Sequence, residues 1–440
     1  MSSVNTEAKP PNPFGRALRA ALTVLALALI GAGLAANEWL LAGWLSPDGV
    51  FSSRTLWIVR AFDLALLCAG GLTWGLRGRM AVFLTKSENA AALAAGMLSA
   101  LALLVGAELA FWGMNHARAA DAPLHRVRSA GLTAEDPIAG RRPLPSGQYT
   151  ETVTLNGEPL FDATYTVDEH RCRVTLPQTA HDVDSALLFF GCSFTFGTGV
   201  ADDETLPSQV AQRMLETRVY NFGGVGHGPH QMLALLQQGK LDEIVREKDV
   251  TVVYVFIPQH LDRSILSMRH AVEWGRNDPC FALGPGGSAT YLGPVKSEHP
   301  IRLLIYDVLS REQVLKYVDA GWPPALTDRH IRYNAALVAA ARDAAQDTLG
   351  CKRFIVLFYP LSKRVSDRLG VDWDHVKDLF EQAGLDVWDY RDFADDALFY
   401  PEDEHPRPTL HAQSAERLVC TLNQPSDNKN ANAPPTTTLH

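Results

Sequence analysis

The sequence predicts an α/β fold, a parallel sheet with helices on both faces, set behind three transmembrane helices and a small β unit. Three observations predict it. From about residue 186, short apolar runs alternate with amphipathic stretches, the order of strand–helix–strand units that builds a parallel sheet. The first of these runs, Ala186 to Phe190, stops at Gly191-Cys192-Ser193 and feeds a loop and a helix. That geometry places a serine at the carboxyl edge of the sheet, where open α/β sheets carry their reactive groups. Finally, the first 115 residues are far more apolar than the rest, although the whole chain has the ordinary 47% hydrophobic and 20% charged composition of a folded protein.

Three stretches exceed the roughly 20 apolar residues that a bilayer-crossing helix needs. They run from about Ala17 to Leu45, Leu56 to Leu76 and Ala91 to Met114, within an anchor over residues 1–114. The first is too long for a signal peptide and two more follow it. Lys9, Arg16 and Arg19 precede the first stretch, and Arg77, Arg79 and Lys86 lie between the second and third. Positive loops stay in the cytoplasm, so the connection at Pro47 and Asp48 faces out and the chain beyond residue 114 is extracytoplasmic. Arg118, Arg126 and Arg128 count mildly against that placement. Arg60 and Asp63, three residues apart, pair near a boundary rather than mark a transport path. A net charge of −9 with no dense basic cluster excludes nucleic acid as a partner.

The remaining chain divides into a linker at 115–146, a small antiparallel β unit at 147–180 and a main domain at 181–423. Asn156-Gly157 marks a hairpin turn in the β unit. In the main domain the expected strands are 186–190, 219–222, 250–257, 352–359 and 385–390. Expected helices lie at about 206–217, 229–246, 326–349, 372–383 and 411–422. An insertion of mixed character covers 261–325, and residues 424–440 have the composition of a disordered tail. None of the six cysteines has Cys-x-x-Cys spacing.

Serine hydrolysis needs a nucleophile, an imidazole base, an acid orienting the imidazole, and donors aimed at the oxyanion. Three strand-end stretches supply candidates. Ser193 follows the first strand, in a better position than the neighbouring thiol of Cys192. Val219 to Gln231 (VYNFGGVGHGPHQ) ends a strand at Asn221 and then carries four glycines, which let backbone amides approach a reacting oxygen. Ala397 to Leu418 sets Asp403 and His405 in a loop before the last helix.

Taken together, the three stretches resemble the SGNH (GDSL-type) hydrolase superfamily over about residues 185–422. Phe190 to Gly197 is similar to its first block, with Ser193 at the nucleophile. Val219 to Gly228 resembles the second block, whose glycine amide is an oxyanion donor, a role that falls to Gly224 with Gly223 as the alternative alignment. Asp403-Glu404-His405-Pro406 resembles the last block, which supplies acid and base from one loop. The Asp-x-His spacing also occurs in a branch resembling alginate-acetylation proteins; Glu402 is the reserve acid. Cys192 departs from the aspartate common before the serine. The third block, Gly-x-Asn-Asp, is replaced after Ile257 by Pro258-Gln259-His260, so Gln259 or His260 is the expected second donor. Asn277, in a literal Gly-Arg-Asn-Asp match within the insertion, is the runner-up.

The resemblance implies a three-layer α/β/α flavodoxin-like domain acting as a serine esterase at the bacterial inner membrane, with no metal or organic cofactor. Ser193 attacks an ester carbonyl, His405 moves the proton, and Asp403 orients the imidazolium. The expected substrate is an O-acylated (acetylated) cell-envelope polysaccharide, with water or a sugar hydroxyl as acceptor. A transferase would need a membrane partner that delivers the acyl donor. The alternatives are a lipid esterase of the lysophospholipase kind and a non-catalytic glycan-binding protein on the same fold. Trp274, Trp322 and Trp373 are candidates for stacking on sugars.

Overall fold

The structure is a computed structural model that describes residues 13–35, 41, 53–120, 123–179, 182–284, 287–319, 321–365, 371–393 and 395–424. The expected outer connection at Pro47 and Asp48, the tail beyond residue 424, and most of the last part of the first apolar stretch lie outside the described residues. The chain divides into two compact units. One comprises Met1–Asp121 and Ile301–Thr327, the other Ala122–Pro300 and Asp328–His440.

The first unit contains α1 (Pro13–Ala35), α2 (Ser53–Leu84) and α3 (Ser87–Ala120). Each holds a stretch long and apolar enough to cross a membrane: Phe14–Ala35, Val59–Leu84 and Ser87–Arg118. Their surfaces are lined with exposed leucine, valine and phenylalanine, among them Leu25, Phe62 and Leu103. Helices α1 and α2 pack closely because small residues lie at their contact. A Cβ added to Gly70 would come within 2.6 Å of Ile30 Cγ1 and 3.1 Å of the Ala26 carbonyl, so only glycine lets the two backbones approach this far.

The second unit opens with three strands of an antiparallel sheet, β1 (Leu124–Arg128), β4 (Gly147–Leu155) and β5 (Glu158–Val167), in the order β1-β4-β5. Between them β2 (Thr133–Asp136) and β3 (Gly140–Pro143) form a two-stranded hairpin. The linker expected at 115–146 is therefore structured: α3 continues through it to Ala120, and β1 pairs along the whole of its length with β4. Arg126 and Arg128 share one face of β1 and both bind the buried Glu151 carboxylate, each at 2.7 Å. The expected turn between β4 and β5 is present, with Asn156 and Gly157 both at positive φ (52° and 85°), as a type I′ turn requires.

The main sheet consists of β6 (Ser185–Phe190), β7 (Thr217–Asn221), β8 (Asp249–Phe256), β11 (Arg353–Phe358) and β12 (Asp386–Asp389). All pairings are parallel, in the order β12-β11-β8-β6-β7. Numbered along the chain this is 2-1-3-4-5, the flavodoxin-like order, whose switch point lies between the first and third strands. The helices are α4 (Ser193–Phe196), α5 (Leu206–Ala211), α6 (Pro229–Gln238), α7 (Gln259–Ser264), α8 (Met268–Glu273), α9 (Val295–Glu298), α10 (Pro300–Leu309), α11 (Gln313–Tyr317), α12 (Asp328–Leu349), α13 (Trp373–Gln382) and α14 (Pro408–Leu422).

Alternation along the strands serves both layers. Leu187, Phe189, Val253, Val255, Ile355 and Leu357 join one core with Val210 of α5 and Leu410 and Leu418 of α14. On the other face Phe256 meets Phe358 and Phe380 of α13, each at 4.8 Å between ring centres. Burial on both faces explains why these strands are continuously apolar. The insertion after β8 carries α7 and α8, a hairpin of β9 (Pro279–Leu283) and β10 (Ala289–Pro294), and the short helices α9 to α11.

Candidate active site

Ser193 is the first residue of α4, directly beyond the carboxyl end of β6. The turn that puts it there depends on Gly191, whose φ is +153° and where an added Cβ would lie 2.2 Å from Thr195 Oγ1 and 2.9 Å from the Val255 carbonyl. No other residue fits that space. Because Ser193 opens a helix, its N–H has no intrahelical acceptor and points ahead of the helix end.

His405 and Asp403 reach Ser193 from a tight loop before α14. The His405 Nε2 lies 2.9 Å from Ser193 Oγ, and its Nδ1 lies 2.7 Å from Asp403 Oδ1. The loop is pinned by Tyr400 N–H to the His405 carbonyl at 2.9 Å and Glu404 N–H to the Tyr400 carbonyl at 2.7 Å. Glu402 and Glu404, on either side of Asp403, have φ of 62° and 67°, a region non-glycine residues adopt at a cost. Arg364 stands against both, pairing closely with Glu402 and at 3.7 Å with Glu404. Glu402 is thus turned to Arg364, and Asp403 alone faces the imidazole.

The outer oxygen of Asp403 is bound by Arg126 of β1 at 2.5 Å. Burial pushes the Asp403 carboxyl up, but the His405 and Arg126 hydrogen bonds and charges outweigh it and hold the group down at about 2. Arg126 also donates to Glu151, whose second oxygen accepts from the Tyr165 hydroxyl at 2.6 Å, and that hydroxyl accepts from Gly199 N–H at 2.9 Å. The network therefore returns to the loop behind Ser193. Arg173, fully buried, closes the same loop by donating to the carbonyls of Phe196 (2.8 Å), Gly197 and Val200 (2.7 Å) and pairing with Asp202 at 3.0 Å. Neither arginine is identifiable from a local pattern.

The oxyanion donors differ from expectation. The Gly224 N–H donates to the Gly191 carbonyl at 3.0 Å and the Gly223 N–H to Asn221 Oδ1 at 3.0 Å. Both amides are committed to holding the second loop against the first, so neither is available to a substrate oxygen. The next amides, Val225 and Gly226, have no protein acceptor among the described residues. Gly226 has φ +80°, and a Cβ there would strike the Trp274 ring at 2.5 Å. Asn221 braces the arrangement, its Nδ2 donating to the Thr195 carbonyl at 3.0 Å.

Of the third-stretch candidates, Gln259 heads α7 beyond β8, half-buried, with no hydrogen-bond partner for its Oε1 among the described residues. His260 is instead a core residue. Its ring is fully buried, bonded through Nδ1 to the Tyr254 hydroxyl at 2.8 Å and edge-on to Phe256. Burial, followed by the charges of Arg263, His230 and His227, holds it neutral. Asn277 donates to Glu135 at 3.0 Å on the surface. Trp373 packs edge-on against Phe256, which makes it a packing residue, whereas Trp274 is 40% exposed against Gly226.

His230, His270 and Asp278 are the group with metal-ligand chemistry among the described residues, all buried with ligand atoms within 4.8 Å of one another. Two imidazoles and a carboxylate are a set that zinc accepts. Here they close on themselves: His230 and His270 Nε2 lie 3.2 and 2.6 Å from Asp278 Oδ2, and Arg141 takes Oδ1 at 3.0 Å. Asp278 is ionised and fully partnered, which makes the group a buried polar brace beneath the 223–230 loop.

No protein-family model matches the chain, and no curated protein does. Among solved structures it is similar to a member of the lipolytic protein G-D-S-L family from Veillonella parvula, at 12% identity over 54% of this chain and 98% of that one, with a TM-score of 0.31. It is also similar to Axe2, an acetylxylan esterase from Geobacillus stearothermophilus, at 12% identity over 55% and 96% of the chains and a TM-score of 0.31. A third is LAE5, an alpha/beta hydrolase enzyme from the metagenome of Lake Arreo, at 14% identity over 55% and 96% with a TM-score of 0.31. The second unit has a flavodoxin-like order of parallel strands. Ser193 and the glycine loop follow the carboxyl ends of β6 and β7, and the Asp403–His405 loop precedes the last helix.

Proposed function

We propose that this protein is a membrane-anchored serine esterase that hydrolyses or transfers O-acetyl groups on cell-envelope polysaccharide. The observation that carries the esterase reading is the Ser193–His405–Asp403 relay, with a 2.9 Å link between Ser193 and His405, 212 positions apart, and a 2.7 Å link from His405 to Asp403. Ser193 Oγ attacks the ester carbonyl as His405 Nε2 takes its proton and returns it to the leaving alcohol; Asp403 holds the imidazolium. The Ser193 amide and the unpaired amides at Val225 and Gly226 receive the developing oxyanion, with the Gln259 side chain as a further donor. Ser193 is only 7% exposed, which favours a small acyl group. Hydrolysis and transfer differ only in whether water or a sugar hydroxyl meets the acyl-enzyme.

The three apolar helices support membrane anchoring, and the positive charges flanking them support an extracytoplasmic position for the second unit. A bacterial inner membrane fits both. The test is fluorophosphonate labelling of the full chain in detergent, read by intact mass beside Ser193→Ala and His405→Ala. Stoichiometric labelling that both substitutions abolish supports the reading. A folded wild-type protein that takes up no label overturns it, and a binding role on the same fold then replaces it.

A further inference from the structure

The chain leaves the second unit after Pro300 and returns at Asp328, and the residues between belong to the unit of apolar helices. Helix α11 is seated along the last part of α3. Asn115 Nδ2 donates to the Gln313 carbonyl at 3.0 Å and its Oε1 at 3.1 Å, while the Gln313 N–H donates to the Glu108 carboxylate at 3.0 Å. Arg118 donates to the Tyr317 carbonyl at 3.0 Å and lies 3.9 Å over its ring, and Phe111 meets the same ring at 5.1 Å. With Trp112 exposed beside them, these residues have the aromatic and basic make-up of a membrane–water boundary, at the end of the apolar stretch Ser87–Arg118.

The two short helices held there leave apolar side chains uncovered. Ile301, Leu304 and Val308 recur at spacings of three and four, so they form one stripe on α10; they are 48%, 64% and 55% exposed. Val314 and Val318 on and after α11 are also exposed. Among the described residues beyond Ala120, five of the ten large apolar side chains that are exposed fall within 301–318. Arg302, Leu303 and Tyr306 of α10 are buried, so the stripe belongs to a formed helix with an inside and an outside.

We propose that residues 301–318 are an interfacial element, lying at the headgroup–acyl boundary with Ile301, Leu304, Val308 and Val318 in lipid. The proposal rests on the reading that α1 to α3 cross a bilayer. The lipid surface is the occupant because the chain runs from the stripe directly into α11, which is held against the helix end that carries the boundary residues. Residues 301–319 contain three basic side chains (Arg302, Arg311, Lys316) and three acidic ones (Asp307, Glu312, Asp319). Seating is therefore driven by apolar burial and does not require anionic lipid.

The test is nitroxide labelling of the full chain in nanodiscs of zwitterionic lipid, in a Cys68→Ser, Cys420→Ser background that removes the two exposed thiols. Labels at Leu304→Cys and, separately, Val308→Cys are compared with Leu215→Cys on the second unit and Leu103→Cys on α3. Oxygen and a water-soluble nickel chelate serve as relaxants. The expected result is an oxygen-to-nickel ratio at 304 and 308 several-fold above that at 215, at a depth of ~5–10 Å. A lipid signature at 103 with an aqueous one at both 304 and 308 overturns the interfacial seat alone. An aqueous signature at 103 overturns the spanning reading and the seat with it. Immobile labels shielded from both relaxants show a protein covering the stripe and also overturn the proposal.

Discussion

Arg126 binds the outer oxygen of Asp403 at 2.5 Å, while the inner oxygen of the same carboxylate faces His405. A residue of the small antiparallel sheet thus fixes the orientation of the group that orients the base. Charge-assisted bonds of this kind are the stronger ones, and the guanidinium fork sets direction as well as charge. Arg126→Gln is expected to lower kcat about tenfold, equivalent to ~1.4 kcal/mol in the barrier, with KM for a chromogenic acetate ester unchanged. Arg126→Lys should recover part of the loss. Equal rises in KM and losses of stability in both variants would reduce Arg126 to a structural role.

Asp403 and Glu402 are neighbours with opposite fates, because Glu402 is turned to Arg364 and Asp403 to His405. Asp403→Asn keeps the size but leaves Nδ1 of His405 without a carboxylate, and the related change in serine proteases costs ~10⁴ in kcat. A loss of roughly 10³–10⁴ is expected here. Glu402→Gln should stay within a few-fold of wild type. Comparable losses in the two variants would mean that either carboxylate can serve.

What the sequence made legible was local. The run Ala186–Phe190 with Ser193 behind it, and Asp403 two positions before His405, lie within a few residues and carry their own signals. The three inner strands β6, β8 and β11 show as apolar runs because both their faces are buried, while the edge strands β7 and β12 carry a weaker signal. Arg126 was invisible because its partner lies 277 positions away, and a charged strand with remote partners looks like a solvated linker. The donor role of Gly224 is implied only by the resemblance to the second block. Its actual role depends on the distance to the Gly191 carbonyl, which only the packing of β6 beside β7 sets. His260 follows the strand where a donor was expected, yet its ring turns toward Tyr254, a choice made by the core.

Gly226 is held between two constraints, a φ of +80° and the Trp274 ring 2.5 Å from where a Cβ would lie. An alanine there meets both the left-handed penalty of ~1–2 kcal/mol and the clash. Gly226→Ala is expected to cut turnover sharply by shifting the 225–226 amides, with a smaller loss in Tm. Removing the ring in a Gly226→Ala, Trp274→Ala double variant should restore part of the activity, leaving the backbone penalty. A strictly additive double-mutant cycle would show that the ring and the loop are uncoupled.

Four buried histidines govern the acid stability of the second unit. Burial is the largest cause in each: it holds His227 and His411 down at about 3, His270 at about 4, and His260 well below its ordinary value. In the unfolded chain these rings titrate near ~6.5. Between that value and about 4 the unfolded state binds protons that the folded state refuses, so stability must fall as pH falls. Asp403, held at about 2, adds a further loss only below the ordinary carboxylate range. The Tm of the full chain in detergent is therefore expected to be level above about pH 7 and to drop steadily toward pH 5. His411→Gln, which removes one of the four rings and can keep a bond to the Tyr359 hydroxyl now 2.9 Å from Nδ1, should flatten that slope. An unchanged Tm between pH 7 and 5 would mean that these rings take up protons in the folded protein as readily as in the unfolded chain.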